Sequence, residues 1–305
     1  DFVPGGILAG KAGDATLIII FILYIFGIAK AGMMPFHAWL PAAMVAPTPV
    51  SALLHAVAVV KVGVFTVVKV VLFIFGVDLL KDLGMGTVLA YFASFTILAA
   101  SVVALRQDNL KRRLAYSTIS QLSYIVLGVA LLSASGITGS IMHIVIHAFG
   151  KITLFFGAGA IYIAHHKTKV SELNGIGKLM PFTMGAFAIA TISMIGLPPA
   201  AGIISKWYLF FGAYEANLWP IVVVLICSTI LYAAYFMPIV YAAFFKKLEF
   251  TPVSDKPVTG TSIMEAPALM VIPLVITSLG VLVLFFYPSL FLTLTRMVVK
   301  SVTGG

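Results

Sequence analysis

Apolar residues run through this chain in long blocks, with polar residues gathered in the short gaps between them. A bilayer core needs about 20 apolar residues per helix, and eight stretches qualify: 16–33, 49–75, 86–105, 114–133, 138–164, 181–211, 219–245 and 266–286. They predict an all-α fold: a polytopic transmembrane helix bundle of about eight spans, one domain over residues 1–305. An extra half-helix, 35–44, follows the first span. The sixth stretch is too long for one straight helix and contains Gly196-Leu197-Pro198-Pro199. Proline removes a backbone donor and clashes with the preceding turn, so a broken helix is expected there and a second break around Met34-Pro35.

Composition supports lipid as the solvent. Hydrophobic residues make up 61% of the chain and charged residues 10%, with a mean hydropathy of +1.13. Soluble domains carry roughly a quarter charged residues. The formal charge of +9 does not indicate nucleic acid, because the basic residues sit in short loops rather than in a patch interleaved with aromatics. The single cysteine, Cys227, excludes a disulfide framework and argues against a thiolate metal site. The chain opens on Asp1 with no signal segment before the first span, so it is expected to be a piece of a longer protein or a processed one.

Loop charge orients the bundle. Arg106, Lys111, Arg112, Arg113, Lys167, Lys169, Lys178, Lys246, Lys247 and Lys256 share one side, and Lys11, Lys81, Arg296 and Lys300 the other. The first side is therefore expected to be cytoplasmic, in a bacterial or archaeal cell (inner) membrane.

Five lysines fall within spans: Lys30, Lys61, Lys69, Lys151 and Lys206. A lysine at the bilayer centre costs roughly 2.5–3.5 kcal/mol on insertion scales, which points to a hydrated interior. Lys69 lies near a helix end, where its amine can snorkel to the headgroups. Lys61 is nearer mid-span, and Lys30 and Lys206 adjoin the two breaks, where loosened carbonyls could simply satisfy them; for these three a functional role is the stronger reading. His143, His147 and Lys151 are spaced i, i+4, i+8, one helical stripe about 12 Å long. Histidine changes charge nearest neutral pH, so the stripe reads as a proton relay, although each histidine could instead glue helices together. His55 fits either role, His37 reads as structural, and His165 and His166 as interfacial and solvated. All ten acidic residues fall in loops or at span ends. Either the lysines are partly neutral, or partner carboxylates lie on a further part of the chain or on another subunit.

The segment Ala29-Lys30-Ala31-Gly32-Met33-Met34-Pro35-Phe36-His37-Ala38-Trp39-Leu40-Pro41 continues into Pro47-Thr48-Pro49-Val50-Ser51-Ala52-Leu53-Leu54-His55. With residues 106–121, 143–151 and 196–207, it resembles the antiporter-like subunits of Mrp-type cation/proton antiporters, respiratory complex I and membrane-bound hydrogenases. In fine detail the chain is most similar to the D-type component of the Mrp antiporters. The resemblance implies the last eight helices of a fourteen-helix fold with two inverted repeats, each holding one broken helix. It implies proton-transfer roles for Lys30, Lys61, His143, His147, Lys151 and Lys206, to which His55 is added from its position beside them; no cofactor or metal is expected, and other membrane subunits, protons and sodium are the expected partners. The family glutamate that pairs with the Lys30 counterpart has no equivalent here.

The expected function is proton translocation within a multisubunit cation/proton antiporter, by a subunit with no chemistry of its own. The alternative is a proton-pumping subunit of a complex I-like NADH/quinone or hydrogenase-type oxidoreductase. A b-type cytochrome fits poorly, since His143 and His147 share one face rather than clamping a macrocycle. The five lysines argue against a structural scaffold.

Overall fold

A computed structural model describes residues 5–56, 58–248 and 263–303, and these are helical apart from short connections. The helices are α1 (Asp14–Gly27), α2 (Trp39–Ala42), α3 (Thr48–Ala56), α4 (Val59–Lys69), α5 (Val77–Asp82), α6 (Met85–Leu105), α7 (Leu110–Ala130), α8 (Ala134–His165), α9 (Pro181–Ile195), α10 (Gly202–Glu215), α11 (Trp219–Phe245), α12 (Ala268–Phe286) and α13 (Ser289–Thr303). Asp1, Glu249, Asp255 and Lys256 lie outside the described residues.

Two helices organise the bundle. The first, α8, spans 32 residues, about 48 Å at 1.5 Å per residue, and packs against α3, α7, α9, α10, α12 and α13. The second, α7, runs between α6 and α8 and is buried from Leu114 to Ala130 except at Tyr116. Its start is fixed by the Asn109 side chain, which accepts a hydrogen bond from the Arg112 amide at 3.0 Å. Ser133 caps α8 in the same way, accepting from the Gly136 amide. Outward faces carry Leu23, Phe95, Ile230, Leu269 and Ile276, all exposed, as a lipid-facing surface requires.

The runs Thr48–Phe75, Met85–Leu105, Ala134–His165, Trp219–Phe245 and Ala268–Phe286 are long and apolar enough to cross a membrane, and α1 and α9 are shorter apolar helices. The expected break in the sixth stretch is present. Pro181 opens α9, Gly196 closes it in the left-handed region at φ +90°, and α10 restarts at Gly202 after Pro198-Pro199. A side chain on Gly202 would meet the Ser193 carbonyl oxygen at 1.7 Å, so the two halves meet only because this position is glycine.

The other break is earlier and wider than expected. The helix α1 stops at Gly27, not at residue 33, and a single 3₁₀ turn, Ala29–Ala31, follows. The Trp39 indole takes the Ala29 carbonyl at 2.9 Å, and α4 packs on the opened backbone at Gly63. The half-helix expected over 35–44 shrinks to α2 and a 3₁₀ turn, Ala43–Val45, in a segment where Pro35, Pro41 and Pro47 donate no backbone hydrogen bonds. The second stretch is not regular α-helix throughout. After α3, Ala58 leaves helical geometry at ψ −82°, and α4 passes into a π-helical segment, Val70–Phe75, that ends on Gly76 at φ +86°. Beyond the eighth stretch, α13 adds a helix that was not expected, carrying Arg296 and Lys300.

The acidic residues close helix ends from other elements, where the dipole favours negative charge. Glu215 accepts from the Ser135 amide at 3.2 Å at the start of α8. Glu265 accepts from the Phe182 and Thr183 amides at 2.7 and 3.1 Å at the start of α9. Asp108 accepts from the Ser171 amide and hydroxyl, and the loops on that side are further joined by Leu110 N–H to the Thr168 carbonyl and Val170 N–H to the Asp108 carbonyl.

Candidate functional site

The stripe on α8 forms as its spacing predicts, with His143, His147 and Lys151 all buried. From α4, Lys61 reaches it, and its amine lies 2.7 Å from His147 Nδ1. The His147 and His143 rings are 6.0 Å apart, centroid to centroid. At His143 the row meets the second break: Nδ1 lies 2.8 Å from the Ser205 hydroxyl on α10, and Nε2 lies 2.6 Å from the Gln121 side-chain oxygen on α7. The Gln121 amide nitrogen donates to the Met194 carbonyl at 3.3 Å, which fixes its oxygen toward His143. An amide oxygen only accepts, so Nε2 carries a proton; the Ser205 hydroxyl, which pairs with Nδ1, also donates to the Gly202 carbonyl at 3.2 Å.

One residue beyond Ser205, Lys206 turns back toward the end of α9. Its amine donates to the Ile195 carbonyl at 2.6 Å and to Thr229 at 3.4 Å, and lies 5.3 and 4.9 Å from the Tyr124 and Tyr232 ring centroids. Lys151 donates to the Ser117 hydroxyl and to the Leu114 carbonyl at 3.3 Å, with the Phe236 ring 5.5 Å away. Tyr232 links the two lysine sites: its ring faces Lys206, and its hydroxyl donates to the Ser117 carbonyl at 2.9 Å. No Asp or Glu is buried among the described residues. Among the described residues, the partners of the Lys151 and Lys206 amines are backbone carbonyls, hydroxyls and aromatic faces.

The remaining sites differ from expectation in specific ways. Lys30 is exposed, so the structure does not join it to the buried row. Its backbone does touch the row's neighbourhood, because a Cβ at Gly63, two residues from Lys61, would fall 2.4 Å from the Lys30 carbonyl carbon. His55 is buried on α3, with its ring 5.0 Å from Phe155. Lys69 is half-buried beside the Phe65 ring. His37 lies near Tyr116. His165 is not solvated: it is buried, with Nε2 3.2 Å from the Met264 carbonyl oxygen, whereas His166 caps α8 at φ +55°.

Sequence reasoning missed the residues that hold the row: Ser117, Gln121 and Tyr124 on α7, Ser205 on α10, and Thr229 and Tyr232 on α11. The available signal was the spacing of Ser117, Gln121 and Tyr124, which places them on one face of α7 among several other polar residues. Among the described residues, no group of three His, Cys, Asp or Glu side chains is arranged to hold a metal ion. Both nitrogens of His143 are engaged by protein groups.

Comparison with known proteins accords with this architecture. The NADH-quinone oxidoreductase subunit N of Desulforudis audaxviator is 38% identical over 88% of this chain and 54% of that protein. The F(420)H(2) dehydrogenase subunit L of Methanosarcina mazei is 36% identical over 86% of this chain and 39% of its own length. The chain thus spans about half or less of the curated relatives it matches. Among solved structures, the Mrp complex from Dietzia sp. superposes with a TM-score of 0.84 at 22% identity, over 97% of this chain and 61% of that one; this likeness concerns the fold. The family described as NADH:quinone oxidoreductase/Mrp antiporter, TM, matches residues 7–231. The chain belongs to this family of antiporter-like membrane subunits.

Proposed function

We propose that this chain is the proton-translocating part of a membrane subunit, and that Lys61, His147, His143, Lys151 and Lys206 form its proton path, with His55 alongside. The observation that carries the reading is the 2.7 Å contact between Lys61 and His147, continued through His143 to Ser205; Lys206 follows Ser205 in sequence, and its amine sits at the Ile195 carbonyl and Thr229, so the last step needs a bridging water. A proton passes directly between the Lys61 amine and the His147 ring; the wider step from His147 to His143 requires a bridging water or a ring rotation. Loading one site raises the electrostatic cost of loading the next in a low-dielectric interior, so the row couples distant events. Lys30 joins the path once a carboxylate from outside the described residues packs on its exposed amine.

The subunit works beside other membrane subunits in a bacterial or archaeal membrane, as one transmembrane domain. Two energy sources fit the row. The relatives named as subunits of NADH-quinone oxidoreductase and F(420)H(2) dehydrogenase lean toward a redox-driven pump. A cation/proton antiporter, with sodium as the coupled ion, fits the same geometry. Iron–sulfur proteins copurifying with the complex would identify the first, and transport driven by a sodium gradient alone the second.

The test of the path is Lys206→Ala in the assembled complex, reconstituted into vesicles and followed with a pH-sensitive dye. Proton transport should fall at least about tenfold, equivalent to about 1.4 kcal/mol on the rate-limiting step, while subunit stoichiometry stays intact. Unchanged transport would refute the role of Lys206.

A further inference from the structure

A large cavity lies apart from the proposed proton row, on the basic side of the bundle. It measures about 1140 Å³, above the roughly 300–1,000 Å³ of ordinary small-molecule clefts. Its walls are apolar and come chiefly from three places: the α2–α3 connection, α8 at Phe156 and Ile163, and α12 at Leu269 and Met270. Lys111, Arg112 and Lys167 also line it, whereas no Asp or Glu does. The Lys111 amine donates to the Ala46 carbonyl at 2.7 Å, inside the lining itself, which draws its charge into the cavity. Arg112 is exposed. Two helix N-termini open here as well, with Thr48 and Pro49 of α3 and Leu110 of α7 in the lining, and both add positive potential. The cavity therefore has an oily interior and a cationic mouth, placed at the face where positive loops meet the headgroups.

We propose that this cavity binds one anionic phospholipid from the adjoining leaflet. The acyl chains lie along Phe156, Ile163 and Met270, and the phosphate sits between Arg112, Lys167 and the start of α7. Basic pockets between transmembrane helices at the cytoplasmic face suit this chemistry. A neutral lipid has the same chains and lacks the net charge that three cationic side chains select. A protein segment would have to bring both an apolar stripe and an acid to the mouth.

The test uses the full-length protein in its assembled complex, in lipid nanodiscs of phosphatidylcholine with and without phosphatidylglycerol. Native mass spectrometry after mild extraction should show one phosphatidylglycerol retained per copy in preference to phosphatidylcholine. In the double variant Arg112→Gln/Lys167→Gln that retention should drop roughly tenfold or more, since each basic residue contributes about 1 kcal/mol to anionic-lipid attraction. Because the double variant could assemble poorly, a photoreactive label on Ile163→Cys in a complex whose Cys227 is replaced by Ser gives an independent readout and should crosslink to phosphatidylglycerol in preference to phosphatidylcholine. Equal retention of the two lipids, retention indifferent to the double variant, displacement by inorganic phosphate as effective as by lipid, or labelling of a neighbouring protein segment instead of lipid would each overturn the proposal. None of these readouts depends on proton transport.

Discussion

Gln121 illustrates how much one side chain does at the centre of this bundle. Its oxygen takes the His143 Nε2 proton and its nitrogen donates to the Met194 carbonyl at the end of α9. Gln121→Leu removes both partners, leaving a buried donor and a buried acceptor unmet, at about 1–3 kcal/mol each. The complex should lose several degrees of thermal stability and most of its transport, and a variant with wild-type melting and transport would show that the bridge is dispensable. A second residue-scale expectation concerns Glu172, which accepts hydrogen bonds from the Thr168 and Lys169 amides at 3.2 and 3.1 Å. These bonds, the first of them at Lys169, hold its carboxyl below the usual carboxylate range. A depressed folded value means that the loop's stabilisation is present above the unfolded carboxylate value and lost as pH falls through the folded one. Amide exchange at Thr168 and Lys169, corrected for intrinsic rates, should quicken on acidification through that window and should already be fast in Glu172→Gln. Flat protection across the window would disprove the assignment.

At the level of elements, the contact between α4 and the opened backbone after α1 depends on Gly63. A methyl group there would come within 2.4 Å of the Lys30 carbonyl carbon and 2.6 Å of the Ala31 nitrogen, so Gly63→Ala forces α4 away, at about 1–3 kcal/mol. Gly185 has open space around its missing side chain, and Gly185→Ala should leave melting and transport near wild type. Equal effects of the two substitutions would remove the argument from packing. The breaks themselves were readable because proline and glycine mark them: Pro198-Pro199 after Gly196 located one well. The gap between α3 and α4 was not readable, since no proline or glycine stands between Ala56 and Val59 and the apolar run reads straight through. The α8 stripe could be found by spacing alone because histidine and lysine are conspicuous in an apolar helix. Its partners were hidden, because a lone Ser117 or Gln121 looks like ordinary helix glue until the facing helix is known. Helix α13 was missed for the opposite reason: Arg296 and Lys300 break its apolar pattern into what reads as a tail.

For the whole molecule, hydropathy gave the class, because lipid leaves helices few alternatives; against the eight spans expected, five runs of the described residues are long and apolar enough to cross, with α1 and α9 shorter. It could not say which spans face lipid and which face one another. In α7 this distinction becomes extreme. Ser117, Thr118, Ser120, Gln121 and Ser123 are all fully buried on it, and α7 is absent from the runs apolar enough to cross a membrane unaided. Those polar side chains weaken the pull of lipid on this segment. We expect it to partition as a hairpin with α6, its partner across a four-residue link, 106–109, with α8 closing over the polar face. In a glycosylation-reporter assay, α7 alone should insert poorly and the α6–α7 pair efficiently; efficient insertion of α7 alone would contradict this order. The same hydroxyls and amide that hold the proposed proton path would thus set when, during synthesis, the protein enters its membrane.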